Sequence, residues 1–197
     1  FVDERIISSQ NLVQILINTA PIAILALGAM VVLISGGIDL SSGFGVSLCS
    51  VIFAASLANF ESLIIAIIIV IIVGSLIGIF NGLFVGVFKV QPFIVTLSSM
   101  TIIQGITLFV ATSGTLMVLD PTLKIIGLGN IFGIPNILLI TVLLIAIIYI
   151  LIHHTTFGIW TYGLGSSIES TENSGVSIAK QQIYVYLFSG ICTALTA

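Results

Sequence analysis

Charged side chains are the scarcest feature of this sequence. Its 197 residues include four Lys and Arg and seven Asp and Glu, so that 6% are charged and 58% hydrophobic. A soluble globular domain carries about 25% charged residues, and a nucleic-acid binder needs a basic face. This scarcity excludes a soluble enzyme, a disordered chain and a nucleic-acid partner. Together with a mean hydropathy of +1.36, it indicates a polytopic membrane protein.

Metal-ligating and nucleotide-binding patterns are also missing. Cys49 and Cys192 both lie in apolar runs and are too few and too far apart for a disulfide framework or a metal site. His153 and His154 point in different directions on a helix, with no acidic residue near them in sequence. The chain has no Gly-x-x-x-x-Gly-Lys-Ser/Thr loop, so it does not bind nucleotide through a P-loop. We therefore expect no catalytic residues, metal or cofactor, and a protein that is not an enzyme.

Long apolar runs separated by short polar breaks predict an all-α, polytopic transmembrane helix bundle. Gly36 and Gly37 end the first run, and Pro92 and Pro135 suit the first turns of later helices. Pro21 either marks the true start of the first helix or kinks it. We expect about six membrane segments, the last one truncated, at residues 12–35, 43–60, 62–88, 93–112, 131–152 and from 183 onward.

The charges do not fix the direction in which these helices cross the membrane. Lys89 and Lys180 fall on one side of an alternating arrangement, and Arg5 and Lys124 fall on the other. The positive-inside rule therefore gives no clear answer. The longest polar stretch, residues 155–182, lies on the same side as Lys89.

Glycines recur at every fourth residue in the third predicted helix. Gly74, Gly78, Gly82 and Gly86 would lie along one side of that helix and let a neighbouring backbone approach closely. Such a stripe suits helix packing, either in the moving core of a transporter or in a static bundle. Asn81 lies beside the stripe, and an amide in hydrocarbon must face protein or a cavity rather than lipid.

Asp39 is the most informative single residue, because it lies between two apolar runs. It is either a carboxylate that caps the next helix at the membrane surface, as Ser41 can also do, or one at membrane depth with a gating or translocation role. Ser98 and Thr101 share a narrow arc of the fourth helix, which suits interhelical packing or a face that lines a pathway for a hydroxylated solute. Six polar residues are our candidates for the pathway or gate: Asp39, Ser41, Asn81, Thr96, Ser98 and Thr101.

The segment Gly-Gly-Ile-Asp-Leu-Ser-Ser-Gly, residues 36–43, resembles the signature of ribose-type ABC importer permeases, the membrane subunits of monosaccharide uptake systems. Five further segments fit the same family in the same order, so that the resemblance covers nearly the whole chain. They are residues 81–82, 91–97, 153–158, 162–165 and 174–176, the last of which is followed by Lys180.

The resemblance implies a single transmembrane permease domain over residues 1–197, incomplete at both ends, in the bacterial cytoplasmic membrane. It further implies a second permease subunit, a cytoplasmic ATPase subunit, an extracytoplasmic sugar-binding protein and surrounding lipid as partners. The implied activity is import of a ribose-like monosaccharide by alternating access. Residues 155–182 would be the cytoplasmic coupling segment, and residues 113–130 would face outward. Within the coupling segment, the candidate contacts to the ATPase are Gly165, Glu169, Glu172, Gly175 and Lys180.

Residues 166–173 depart from the family pattern, because Ser-Ser-Ile-Glu-Ser-Thr-Glu-Asn stands where Gly-Asn-Glu-Ala-Ala and a basic residue are usual. Three alternatives stay open. One is a permease of the same superfamily for an autoinducer sugar, a nucleoside or an amino acid. Another is an ion-coupled secondary transporter or channel, although such proteins commonly keep ionisable residues near the membrane midplane and no apolar run here has one. The third is a remnant that does not transport.

Overall fold

Helices account for most of the chain in the computed structural model, which describes residues 8–111, 123, 127 and 129–197. One short antiparallel pair of strands precedes the fifth helix of this described part. The expected all-α bundle is therefore confirmed. In chain order the elements are α1 (Ser9–Ile34), α2 (Ser42–Phe60), α3 (Leu63–Gly86), α4 (Pro92–Val110), β1 (Asn130–Ile131), β2 (Ile134–Pro135), α5 (Asn136–His154), α6 (Thr156–Ser166), α7 (Ile168–Asn173) and α8 (Ile178–Thr196).

Helices α1 to α5 are long and apolar enough to cross a membrane. Their outer surfaces carry large apolar side chains such as Ile64, Phe109 and Leu143, which hydrocarbon would cover. Helix α8 has 19 residues and contains more polar side chains, several of which are buried against other helices. The sixth predicted segment corresponds to α8, whose buried polar residues, such as Gln181 and Ser189, face other helices.

The first helix begins well before Pro21. Helix α1 begins at Ser9, after Ser8 has accepted a hydrogen bond from the Asn11 N–H at 3.3 Å. Pro21 therefore lies inside α1 and does not mark its start. At the other end, Gly36 adopts a φ of +81°, a left-handed conformation that glycine reaches without strain, and the helix stops there as expected.

Two later helix starts also differ from the sequence prediction. Helix α5 begins at Asn136 and not at residue 131, because residues 130–135 form the strand pair. Helix α8 begins at Ile178 and not at residue 183. Its first turns contain Gln181 and Gln182, which sequence reasoning placed in a polar stretch but which the fold buries. The rest of that stretch forms α6 and α7.

The closest helix pair in the bundle is α3 with α8, which run antiparallel along nearly their whole length. A Cβ atom added at Gly82 would lie 2.6 Å from Ile183 Cα, and one added at Gly86 would lie 2.8 Å from Ala179 O. The glycine stripe of α3 thus faces the backbone of α8, and a side chain on it would collide with main-chain atoms.

One end of the bundle, which we call the α6 end, collects the polar connections. The end of α1, the end of α3 and the starts of α4 and α8 meet there beside α6 and α7. A cavity of about 750 Å³ opens between them, lined among others by Lys89, Gln91, Glu172 and Gln182. Most of residues 113–130, which were expected to face outward, lie outside the described residues.

Candidate functional site

The loop between α1 and α2 turns inward instead of crossing the surface of the bundle. A Cβ atom added at Gly37 would lie 2.7 Å from the hydroxyl oxygen of Tyr186, so glycine lets the loop pass close to this side chain without displacing it. The Tyr186 hydroxyl donates to the carbonyl oxygen of Ile38 at 3.3 Å. Thr96 on α4 donates to the same carbonyl at 3.3 Å and to Pro92 O at 2.9 Å. These contacts hold the loop against α4 and α8.

Asp39 is the centre of a hydrogen-bonded chain that joins four elements. Its Oδ1 accepts from the Ser41 N–H at 3.0 Å and from the Ser41 hydroxyl at 2.6 Å. Its Oδ2 accepts from the Ser189 hydroxyl of α8 at 2.7 Å. The Asn81 side-chain amide of α3 donates to Ser41 Oγ at 2.8 Å, and Asn81 Oδ1 accepts from the Ser99 hydroxyl of α4. We call Asp39, Ser41, Asn81, Ser99 and Ser189 the Asp39 node.

The Asp39 node lies among the helices of the bundle and not at its α6 end. With a rise of 1.5 Å per residue, Ser189 is about 16 Å from the start of α8, and Asn81 is about 8 Å from the end of α3. Ser41 and Asn81 are fully buried. Of the two interpretations of Asp39, the geometry therefore favours a carboxylate at membrane depth over one at the membrane surface.

Ser41 occupies the N-cap position of α2 but makes no side-chain cap bond to that helix. Its hydroxyl instead donates to Asp39 and accepts from Asn81. Asp39 accepts from the backbone N–H of Ser41, the N-cap residue itself, whereas a capping side chain usually accepts from an N–H two or three residues further on. The carboxylate thus ends the loop and holds the node at the same time.

The structure separates the six pathway candidates into two groups. Asp39, Ser41, Asn81 and Thr96 lie together around the inward loop. Ser98 and Thr101 are exposed on the other side of α4, where they donate to the helix carbonyls of Ile94 and Ser98, each at 2.8 Å. Sequence reasoning missed three residues that contact the loop or the node: Tyr186, Ser189 and Ser99. The signal for the first two was their spacing of three residues on α8.

Helix α6 is fastened to α8 by a second buried contact. The Gln181 side-chain amide donates to the Phe157 carbonyl and to the Thr161 hydroxyl, each at 3.0 Å. Gly165 packs on the carbonyl of Ile34 at the end of α1, so closely that no Cβ would fit. Helix α6 therefore touches both the helix that carries Ser189 and the turn that leads to Asp39. Gln181 was not among the sequence candidates.

The coupling candidates lie on the outside of the α6 end. All five are exposed, and Glu172 and Gly165 also line the cavity there. Gly175 adopts a φ of +86°, and this left-handed conformation separates α7 from α8. A polar, accessible surface at the end of a membrane bundle is suited to docking another protein. These exposed candidates are Gly165, Glu169, Glu172, Gly175 and Lys180.

Five helices long and apolar enough to cross a membrane, packed around a part-buried carboxylate and with one polar end, define a multi-pass membrane protein. Residues 11–197 match the family model described as the branched-chain amino acid transport system permease component. The chain therefore belongs to this family of membrane permeases, and it is a protein of the bacterial inner membrane.

Within this family, the chain is similar to several curated sugar permeases. The chain is 33% identical over 187 residues to the ribose import permease of Bacillus subtilis (strain 168), covering 94% of this chain and 58% of the relative. It is 31% identical over 183 residues to the galactofuranose transporter permease of Escherichia coli (strain K12), covering 93% and 54%. It is 31% identical over 170 residues to the L-arabinose transport system permease of the same strain, covering 86% and 52%.

These comparisons confirm the resemblance to ribose-type sugar permeases. The chain spans between half and three fifths of the length of these relatives. No solved structure matches it.

Proposed function

We propose that the chain is the membrane-spanning permease subunit of an ATP-driven ABC importer that moves a ribose-like monosaccharide by alternating access. The observation that carries this proposal is the Asp39 node, a hydrogen-bonded chain of buried side chains around the part-buried Asp39, which joins the inward loop to α3, α4 and α8. A node of this kind can hold one arrangement of the helices and release another. The membrane spans otherwise offer hydroxyls and amides, which suit an uncharged, hydroxylated solute.

We further propose a partner protein for each end of the bundle. We assign residues 155–182 as the coupling segment, with a cytoplasmic ATPase on α6 and α7 and an extracytoplasmic sugar-binding protein at the opposite end. A second permease subunit completes the pathway. The exposed residues Glu169, Glu172 and Lys180 give the docking surface charges of both signs, although the departure of residues 166–173 from the family pattern implies a partner with matching changes.

Movement of the coupling segment has a direct physical route to the node. Gln181 fixes α6 to α8, and Ser189, eight residues further along α8, donates to Asp39. Eight residues of helix span about 12 Å. Because the rigid α8 carries both contacts, a displacement of α6 on ATP binding shifts the Ser189–Asp39 bond.

Gln181→Leu is expected to lower the number of sugar molecules imported per ATP hydrolysed by about fivefold, because it removes both bonds and leaves the Thr161 hydroxyl with one buried partner fewer. The measurement is sugar uptake and phosphate release in parallel, on the full-length permease reconstituted with its partners. Gln181→Leu with Thr161→Val should recover much of the ratio, since an apolar pair replaces the polar one. Tyr184→Leu, exposed on the same helix, is the matched control. If Gln181→Leu imports as many sugar molecules per ATP as the wild type, the Gln181 hydrogen bonds to α6 have no part in coupling.

The proposed function is tested by reconstituting the full-length permease in proteoliposomes with the ATPase and binding protein of its own operon. We expect uptake of labelled ribose, or of another pentose or hexose, only when ATP is present. Competition with leucine and with a nucleoside examines the other solutes of the superfamily. Uptake driven by an ion gradient without ATP would instead establish a secondary transporter, and an assembled complex without uptake of any solute would establish a remnant.

A further inference from the structure

Helix α4 carries a side-chain amide on the face that points away from the rest of the described chain. Gln104 is exposed there, and it makes no side-chain hydrogen bond to any residue that the structure describes. Ser98 and Thr101 are exposed on neighbouring positions of the same face. A Cβ added at Gly105 would meet no atom within 4 Å. Ile94, Leu97 and Leu108 are exposed between these positions, so the polar groups form a stripe on an open and otherwise apolar face. The opposite face of α4 carries Ser99 into the node.

Gln104 lies deep in the membrane span. It is twelve residues from Pro92 in a helix of 19 residues, or about 18 Å along a length of about 28 Å. A primary amide that faces hydrocarbon leaves its donors and acceptor unsatisfied, which is strongly unfavourable in lipid. Gln104 must therefore contact water or a polar partner at this depth.

The chemistry of this face fits a hydroxylated solute. The hydroxyls of Ser98 and Thr101 each donate a hydrogen bond to a helix carbonyl oxygen. They can therefore only accept hydrogen bonds from a solute. The Gln104 amide adds two donors and one acceptor. Sugar hydroxyls both donate and accept, so these three side chains can bind a polyhydroxylated molecule without any charge.

We propose that Gln104 lines the translocation pathway and hydrogen-bonds the transported solute, together with Ser98 and Thr101. The proposal rests on the proposed import function and names its solute-contacting face. It also gives α4 a definite position, with one face toward the solute and the other, through Ser99 and Asn81, toward the Asp39 node. The face that contacts the solute and the Asp39 node then lie on opposite sides of α4, one helix diameter apart.

The test is the accessibility of a cysteine introduced as Gln104→Cys in the full-length permease, assembled with its partners in membrane vesicles. A charged, membrane-impermeant methanethiosulfonate reagent labels only thiols that water reaches. Leu143→Cys is the matched control, because Leu143 is 61% exposed on α5 and lies at a similar depth, about 10 Å from the end opposite α6. The native Cys49 and Cys192 are buried and set the background.

We expect the Gln104→Cys thiol to be labelled at least about tenfold faster than the Leu143→Cys thiol, because water favours the thiolate that reacts. Binding protein loaded with ribose should slow the labelling. Labelling no faster than in the control would overturn the proposal, and so would a disulfide between two copies in the absence of reagent, which would show that this face packs on a second subunit.

A kinetic measurement separates this proposal from the proposed function. Gln104→Leu should raise the solute concentration for half-maximal uptake by about fivefold, from the loss of hydrogen bonds to the solute, whereas Leu143→Ala should leave it unchanged. If the wild-type complex imports sugar and Gln104→Cys is not labelled, the assignment of Gln104 fails and the import function stands. If the assembled wild-type complex imports no solute, the proposed function fails whatever the labelling shows.

Discussion

Gly78→Leu is expected to prevent the bundle from folding. A side chain at this position of α3 would run into the carbonyl of Tyr186 and would place its Cβ 2.8 Å from Leu187 Cα. Both obstacles are backbone atoms in the middle of α8, so neither can move without separating the two helices. Overpacking in a well-packed interior usually costs about 1–3 kcal/mol. Because the collision here is with backbone, we expect a cost at or above about 3 kcal/mol.

The measurement is the amount of monodisperse full-length permease recovered in detergent, together with its melting temperature. Gly78→Ala should show a smaller loss, since it adds only the Cβ. Gly105→Leu is the control, because no atom lies within 4 Å of a Cβ at that position, and it should be recovered like the wild type. Normal recovery and melting of Gly78→Leu would show that α3 and α8 are not in backbone contact in the membrane.

Asp39→Ala is expected to abolish uptake, with a decrease of about 100-fold or more for the same quantity of folded protein. Hydrogen bonds to a charged group contribute about 1.5–3 kcal/mol each, and this substitution removes the acceptor of three of them at once. The Ser189 hydroxyl and the Ser41 hydroxyl and N–H lose their partner in a buried place. The inward loop is then held to α8 only by the hydrogen bond from the Tyr186 hydroxyl to the Ile38 carbonyl among the bonds described above.

Asp39→Asn separates the shape of the side chain from its charge. Its Oδ1 can still accept from Ser41, but its amide nitrogen cannot accept from the Ser189 hydroxyl, so we expect a residual uptake between those of Asp39→Ala and the wild type. Glu61→Asn is the matched control, since it removes a carboxylate in a turn where φ is +49° and asparagine tolerates that conformation. Uptake of Asp39→Ala at the wild-type level would show that the node has no part in transport.

The fold was largely predictable from the sequence, because hydropathy reports which segments meet lipid. The main exception is the start of α8. A helix face that packs against protein does not need an apolar sequence, and Gln181 and Gln182 were therefore placed in the polar stretch 155–182 and not in the sixth membrane segment. Local signals such as Pro92 and Gly36 predicted where helices begin and end, because each depends only on its own backbone.

The candidate site was predictable only in part. Polarity between or within apolar runs singled out Asp39, Ser41 and Asn81, but it did not show that they form one chain. The bond that closes the node joins Asp39 to Ser189, which are 150 residues apart, and no local pattern reports such a pairing. On α4, adjacent residues point to different faces, so that Ser99 reaches the node and Ser98 does not.

The backbone contact between α3 and α8 also has a consequence for biosynthesis, because α3 is made before the helix on which it packs. A ribosome that adds about 5–20 residues per second needs roughly 5–20 s to proceed from the end of α3 to the end of α8. During that interval α3 is already in the membrane, and its glycine groove has no partner within the chain. The groove must therefore be sheltered by the insertion machinery, by lipid tails or by a temporary neighbour until α8 arrives.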